Sequence, residues 1–311
     1  AGENLSPLDI VIYTSAFGKL ISDRAESNTI VVGRDARTSG EMVEMIVNSC
    51  LMSMGFDVVS IGLATTPTTE IAVLNEKAAG GIIITASHNP GNWNALKLLN
   101  CRGEFLNSED GDLILKIAHE ADFFYQNVEN IGSIIKKEGY EDFHINKLMS
   151  LEIINTGLIK QAGFRVAIDC VNSVGGIAVP KLLRELGVDD IIELYCIPNG
   201  LFPHNPEPLP ENLGVISNLI KEKKADVGFV FDPDVDRLAI ICEDGSMFGE
   251  EYTLVSIADY ILSKTPGNTV SNLSSTRALK DITEKYGMNY FASAVGEVNV
   301  VEMMKSKNAV I

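Results

Sequence analysis

Apolar positions along the chain follow two periods that alternate at short spacing. Residues 7–24 repeat them at helical spacing, and Asn28-Thr-Ile-Val-Val32 then reads as a short strand running into the turn 33–40. The same alternation continues with a helix over 42–54, a strand over 56–61, a Pro-containing loop at Thr65-Thr-Pro-Thr-Thr69 with a helix to Leu74, and a strand over 79–85. A loop follows, then an amphipathic helix over 108–121, a polar stretch over 122–140 and a helix over 141–151. A second cycle predicts a strand at 164–169, a turn at 172–176, a helix at 177–186 and a strand at 191–196. After the Pro-rich loop 199–210 come a helix to Lys223 and strands at 225–231 and 238–242. A third cycle predicts a helix from Glu250 to Lys264, then strand 269–272, helix 275–286, strand 290–294, helix 298–305 and a strand-like end at 308–311. Such alternation predicts an α/β fold of successive three-layer α/β domains with mixed, mostly parallel sheets.

The length of 311 residues agrees, since it exceeds one ordinary core and favours two or three domains. We expect a first domain over 1–155, a second over 156–255 and a third, incomplete, over 256–311. With 46% hydrophobic and 22% charged residues, the composition is that of a soluble globular protein. No run approaches the roughly 20 apolar residues that a membrane helix needs. The start, Ala1-Gly-Glu-Asn-Leu5, shows neither the basic region nor the apolar core of a signal peptide, and it lacks an initiator Met. Five widely spaced cysteines with no CxxC predict mostly buried thiols in a reducing cytoplasm. A net charge of −17 argues against nucleic acid or an anionic membrane as partner, and an anionic substrate would need local Arg and Lys.

Chemistry concentrates in two stretches. Asp232-Pro-Asp-Val-Asp-Arg237 lies between two apolar runs, with a carboxylate at every second residue. An extended backbone would point all three to one side, where they would repel unless one took up a proton or a hard divalent cation joined them. Oxygen-only ligands favour magnesium or calcium over zinc. A solvated acidic turn is the commoner origin of such a triplet, but the apolar flanks draw this one to the edge of a core. A helix–loop–helix calcium site is excluded, because Arg237 stands where that loop needs Gly and a strand lies inside the loop.

The second stretch, Thr85-Ala-Ser-His-Asn-Pro90, follows the third strand and puts Ser87 and His88 where α/β sheets place ligands. An isolated Ser–His pair more often caps a helix, and with no Gly-x-Ser-x-Gly elbow an acyl-transfer triad is not expected. Lys97, returning after a turn, is a surface charge or an acid/base group near Ser87. Neither nucleotide fingerprint, GxxxxGK[ST] or GxGxxG, occurs. Arg34, Arg37, Arg237 and Arg277 lie in loops or at helix starts where each could hold a phosphate, although such arginines more often pair on the surface.

Taken together and in this order, the Thr85–Pro90 and Asp232–Arg237 motifs resemble the alpha-D-phosphohexomutase family. Gly33-Arg-Asp-Ala-Arg-Thr-Ser39 and Pro203-His-Asn-Pro-Glu-Pro208 are similar to that family's pattern too. The resemblance spans the chain and implies its domains one, two and part of three, without the Gly-rich start, the later sugar-selecting loop or the fourth domain. It implies that Ser87 carries a phosphoryl group and that Asp232, Asp234 and Asp236 bind one Mg²⁺ together with the phosphoserine. Arg237 matches an Arg after that loop, with His88 beside the serine, and Lys97 matches a lysine that assists proton transfer. Gly296 and Glu297 match the approach of the third domain to the sugar, where many relatives carry His at the second position. Arg34 and Arg277 complete the expected substrate contacts.

The implied activity interconverts hexose or hexosamine 1- and 6-phosphates through a bisphosphorylated sugar, with a sugar 1,6-bisphosphate as activator. Phosphoglucosamine mutase and phosphomannomutase/phosphoglucomutase are the nearest branches. A phosphosugar is the expected partner, with no nucleic acid or membrane, and the chain is expected to be a monomer or homodimer. Two rivals remain at this level. A nucleotide-sugar glycosyltransferase holding its metal by Asp-x-Asp would bind a nucleoside diphosphate and leave Ser87 idle. A non-catalytic sugar-phosphate-binding fragment would bind without a phosphoserine.

Overall fold

Residues 5–24 and 26–311 are described by a computed structural model. The expectations about residues 1–4, including where the first domain starts, lie outside the described residues.

The most apolar runs become the central strands. β1 (Thr29–Arg34) and β3 (Gly80–Ile84) pair in parallel at the middle of a five-stranded sheet, and β2 (Asp57–Leu63) flanks β1. Ile30, Val32, Ile82 and Ile84 face one side, under α1 (Pro7–Ser22), α2 (Gly40–Ser53) and α4 (Ser108–Glu120). Val31 and Ile83 face the other, under α3 (Thr66–Asn75) and α5 (Tyr140–Met149). Being covered on both faces, these strands read as continuous apolar runs without a polar alternate. Each buried aliphatic side chain contributes about 1.5–3 kcal/mol.

Two edge strands escaped the sequence pattern. β4 (Leu96–Leu99) runs antiparallel to β3, opposing Lys97 to Ile83, and β5 (Ile134–Lys136) is short and exposed. The residues Thr65–Thr69 are not a loop. Thr65 caps α3 by accepting from the Thr68 N–H, and Pro67 sits in the first turn, where its missing N–H costs nothing.

The second sheet has the order β7–β6–β8–β9, from β6 (Arg165–Asp169), β7 (Asp190–Leu194), β8 (Val227–Phe231) and the antiparallel β9 (Leu238–Cys242). A short α6 (Thr156–Ala162), also absent from the sequence reading, leads into it, and α7 (Gly175–Glu185) and α8 (Gly214–Lys223) cover its faces. The third unit pairs β10 (Thr269–Asn272) with β11 (Tyr290–Ser293) in parallel, among α9 (Glu250–Lys264), α10 (Ala278–Lys285) and α11 (Glu297–Lys307). The expected strand at 308–311 forms only a single bridge, Asn268 with Ala309.

The fold is thus α/β, with three successive α/β/α units and mixed, mostly parallel sheets. We place the second boundary ahead of α9 rather than at 255, because Val255 and Ala258 of that helix pack on Leu279 in the third core. The expected burial of the cysteines holds for Cys50 and Cys170; Cys101 is exposed, and Cys196 and Cys242 are half-buried.

Candidate active site

The site forms where the carboxyl ends of the first two sheets meet, the place at which open α/β sheets gather their functional loops. The loop after β3 contributes Ser87, nearly buried and in the left-handed region at φ +47°. The loop after β8 contributes the three aspartates. Ser87 Oγ donates to Asp232 Oδ2 at 2.7 Å, joining residues of two units.

Asp232, Asp234 and Asp236 each offer an oxygen, all within 4.8 Å of one another. The route to that convergence is not the extended strand expected from sequence. The chain turns through Pro233 and Asp234, and Val235 takes φ +62°, a conformation β-branched residues avoid. The backbone N–H groups of Asp236 and Arg237 donate to Asp232 Oδ1 at 3.2 and 3.1 Å, closing the turn on its first carboxylate.

Lys97 is the cation already present. Its ammonium donates to Asp234 Oδ2 at 2.7 Å and Asp236 Oδ2 at 2.6 Å. Burial works against the Lys97 charge, but the two carboxylates outweigh it and raise its pKa. Asp234 is likewise penalised by burial, and Lys97 overrides this to hold it ionised. Asp232 has no such partner, so burial and its two acidic neighbours push its pKa up. The cluster is therefore short of positive charge.

A hard cation fits that deficit. The donors are all carboxylate oxygens, and Asp234 Oδ1 is buried with no hydrogen-bond partner. An orphaned anionic oxygen of this kind is costly unless something positive reaches it.

His88 Nδ1 lies 3.4 Å from Ser87 Oγ, at the far limit of a hydrogen bond. Burial and then the neighbouring Arg237 lower its pKa, favouring the neutral ring. Arg237 is half-exposed, with its guanidinium 3.9 Å from Glu207 of the Pro203–Pro208 loop. That loop is tied down by His204, whose Nε2 lies 3.1 Å from Asp169 Oδ2. Glu297 opens α11 behind Gly296, whose φ is +118°. Burial first and Asp236 second raise the pKa of Glu297. With Glu70, Phe105 and Lys305 it lines a cavity of about 280 Å³ between the first and third units. Glu70 is pushed up to about 8 by burial and then by Glu297.

Three expected arginines are not brought to the carboxylates. Arg34 turns onto Glu44, with Nε 2.8 Å from its carboxylate, because α2 presents that acid beside the end of β1. Arg277 is largely exposed and pairs with Asp281 one helical turn along. Arg37 is buried and spent on structure. It pairs with Asp35 at 2.9 Å and donates to the carbonyls of Ser87, Asn89, Pro90 and Trp93. Sequence reasoning missed Thr66 and Ser173, which reach the aspartate loop at 2.6 Å each. The hydroxyl-dense Thr65–Thr69 was the available signal for the first; nothing local marks the second.

Comparison with known proteins places the chain in a family. Residues 1–124, 142–245 and 249–311 match domains I, II and III of the phosphoglucomutase/phosphomannomutase α/β/α description. A phosphoglucomutase/phosphomannomutase of Thermococcus kodakarensis is 33% identical, over all of this chain and 68% of its own length. A phosphoglucosamine mutase of Sulfurovum is 31% identical, over 99% of this chain and 69% of its own. Among solved structures, a phosphoglucomutase/phosphomannomutase family protein of Burkholderia thailandensis superposes with a TM-score of 0.87 at 25% identity, over 99% of this chain and 67% of its own. The chain belongs to the phosphoglucomutase/phosphomannomutase family. It spans between 58% and 69% of the length of the curated relatives it matches.

Proposed function

We propose that this chain carries the phosphoserine and metal loops of a Mg²⁺-dependent phosphohexomutase. It would interconvert the 1- and 6-phosphates of a hexose or hexosamine, in the phosphoglucosamine or phosphomannose/phosphoglucose branch. The observation that carries the reading is the 2.7 Å contact of Ser87 Oγ with Asp232, beside two further carboxylates from the second unit. A glycosyltransferase needs no such serine, and the relatives reported above carry phosphomutase names.

In this reading Ser87 Oγ carries the phosphoryl group, and Asp232, Asp234 and Asp236 hold Mg²⁺ against it. Bound there, the ion supplies the positive charge that phosphoryl transfer needs on the transferring oxygens. The residues of the chain do the rest. The Arg37 grip on four carbonyls keeps the serine loop from recoiling as phosphate enters and leaves. Lys97 holds Asp234 ionised, donates to Asp236 as well, and in this reading is the proton-handling group. His88, neutral beside Ser87, can donate to a phosphoryl oxygen, and Arg237 faces the same space, where a guanidinium recognises phosphate. Gly296 and Glu297 border the sugar side. Arg34 and Arg277 are the further substrate contacts in this reading, and they pair with Glu44 and Asp281. A phosphosugar is the partner, a sugar 1,6-bisphosphate the activator and the cytoplasm the compartment.

The test is intact-mass and phosphosite analysis after incubation with glucose 1,6-bisphosphate and Mg²⁺. One phosphate should appear on Ser87, vanish on adding a hexose phosphate, and be absent from a folded Ser87→Ala protein. Turnover by Ser87→Ala would sink the reading. A metal-loaded protein that never gains phosphate on Ser87 would favour a sugar-phosphate-binding module.

A further inference from the structure

Asp234 is completely buried, and its two oxygens live in different surroundings. Oδ2 accepts from Thr66 Oγ1 at 2.6 Å and from Lys97 Nζ at 2.7 Å. Oδ1 is reached by no donor. Thr66 also holds the main chain at this point, its N–H donating to the Asp234 carbonyl at 2.8 Å. This threonine belongs to the first unit and opens α3, where it is 2% exposed, while Asp234 belongs to the second.

The aspartate loop needs such a hold. Left-handed Val235 costs about 1–2 kcal/mol, and a conformation of that kind persists only where its surroundings over-determine it. Two side-chain hydroxyls supply constraints, Thr66 on Asp234 and Ser173 on the Pro233 carbonyl. Lys97 is a weaker guide, being a long flexible stem whose charge is shared with Asp236 and partly open to water. The threonine side chain is short, and with its own N–H held on the Asp234 carbonyl its hydroxyl is set against Oδ2.

We infer that Thr66 is a positioning residue for the cation site, an inference that rests on the metal reading given above. By engaging Oδ2 and the carbonyl of Asp234 it leaves Oδ1 as the oxygen free for a cation. The cation affinity of a loop in the second unit thereby depends on the docking of the first.

Mn²⁺ binding to the 311-residue chain, followed by electron paramagnetic resonance of the free ion, tests this without any turnover. Thr66→Val keeps the shape and removes the hydroxyl, and affinity should fall about 10- to 100-fold, the usual cost of losing a hydrogen bond that orients a ligand. Thr66→Ser keeps the hydroxyl and should return affinity to within a few-fold of wild type, even should the valine variant fail to fold. Thermal melts of the metal-free proteins separate folding from binding. Wild-type affinity in a folded Thr66→Val, or valine-like weakness in Thr66→Ser, overturns the inference. The metal reading fails separately, when wild type binds no Mn²⁺ or Asp234→Asn binds it equally well.

Discussion

The two loops that meet at the site look alike and are secured differently. Each leaves the carboxyl end of a parallel strand, β3 or β8, and each holds a non-glycine residue at positive φ, Ser87 or Val235. The backbone of the serine loop is anchored chiefly from within its own unit, by the buried Arg37–Asp35 pair. The aspartate loop borrows Thr66 and Lys97 from the neighbouring unit and has Ser173 from its own. The serine loop meets the second unit through the Ser87 Oγ contact with Asp232 and the Phe202 ring against the Arg37 guanidinium, but its carbonyls are gripped from its own side. A cation loop anchored from outside is complete only when the two units are docked.

The strongest way to break this contrast is Arg37→Met. It leaves Asp35 buried without its ion partner and takes a donor from four carbonyls, of which that of Pro90 keeps the Trp93 N–H, so stability should fall by about 3–5 kcal/mol, read from the urea midpoint at unchanged slope. A loss below about 1 kcal/mol would mean that the serine loop is held elsewhere.

A smaller effect should appear with pH. Burial pushes Asp35 up to about 6 from the ordinary 3.8, although Arg37 pulls it down. Between those values the folded state holds a proton that the unfolded state has released. This contribution to stability is full below 3.8 and is lost as pH rises through about 6. For one group the slope reaches at most about 1.4 kcal/mol per pH unit. Urea unfolding in EDTA between pH 4 and 7 should show it, and Asp35→Asn should flatten it; an unchanged slope would remove Asp35 as its source.

The smallest effect sharpens the other half of the comparison. Val235→Gly relieves left-handed strain of about 1–2 kcal/mol, offset by unfolded-state entropy of about 0.5–1 kcal/mol and by lost packing against the α7 side of the second sheet. The net change should stay within about 1 kcal/mol. A loss above about 2 kcal/mol would show that the valine side chain, and not the strain, governs the loop.

Much of this was legible in the chain. Ile82, Ile83 and Ile84 form a continuous apolar run because β3 is covered on both faces, and that run, with the next turn, places Ser87 at a strand end. The aspartate triplet stood out because solvated acids seldom lie between two apolar strands. The arginines were opaque. A guanidinium on a long stem reaches many partners, and Glu44, Asp281 and Asp35 took three of them. β4 and β5 were hidden because an edge strand of three or four residues carries too few positions to show a period.

The sequence by itself determined the alternation of strands and helices, the serine and the three carboxylates, since these follow from side-chain period and residue type. Only the tertiary structure decided that Ser87 meets Asp232, that Lys97 bridges Asp234 and Asp236, and that Thr66 grips Asp234. Those contacts join residues far apart in the chain, and their partners are selected by how two separately folded sheets dock, which no local pattern encodes.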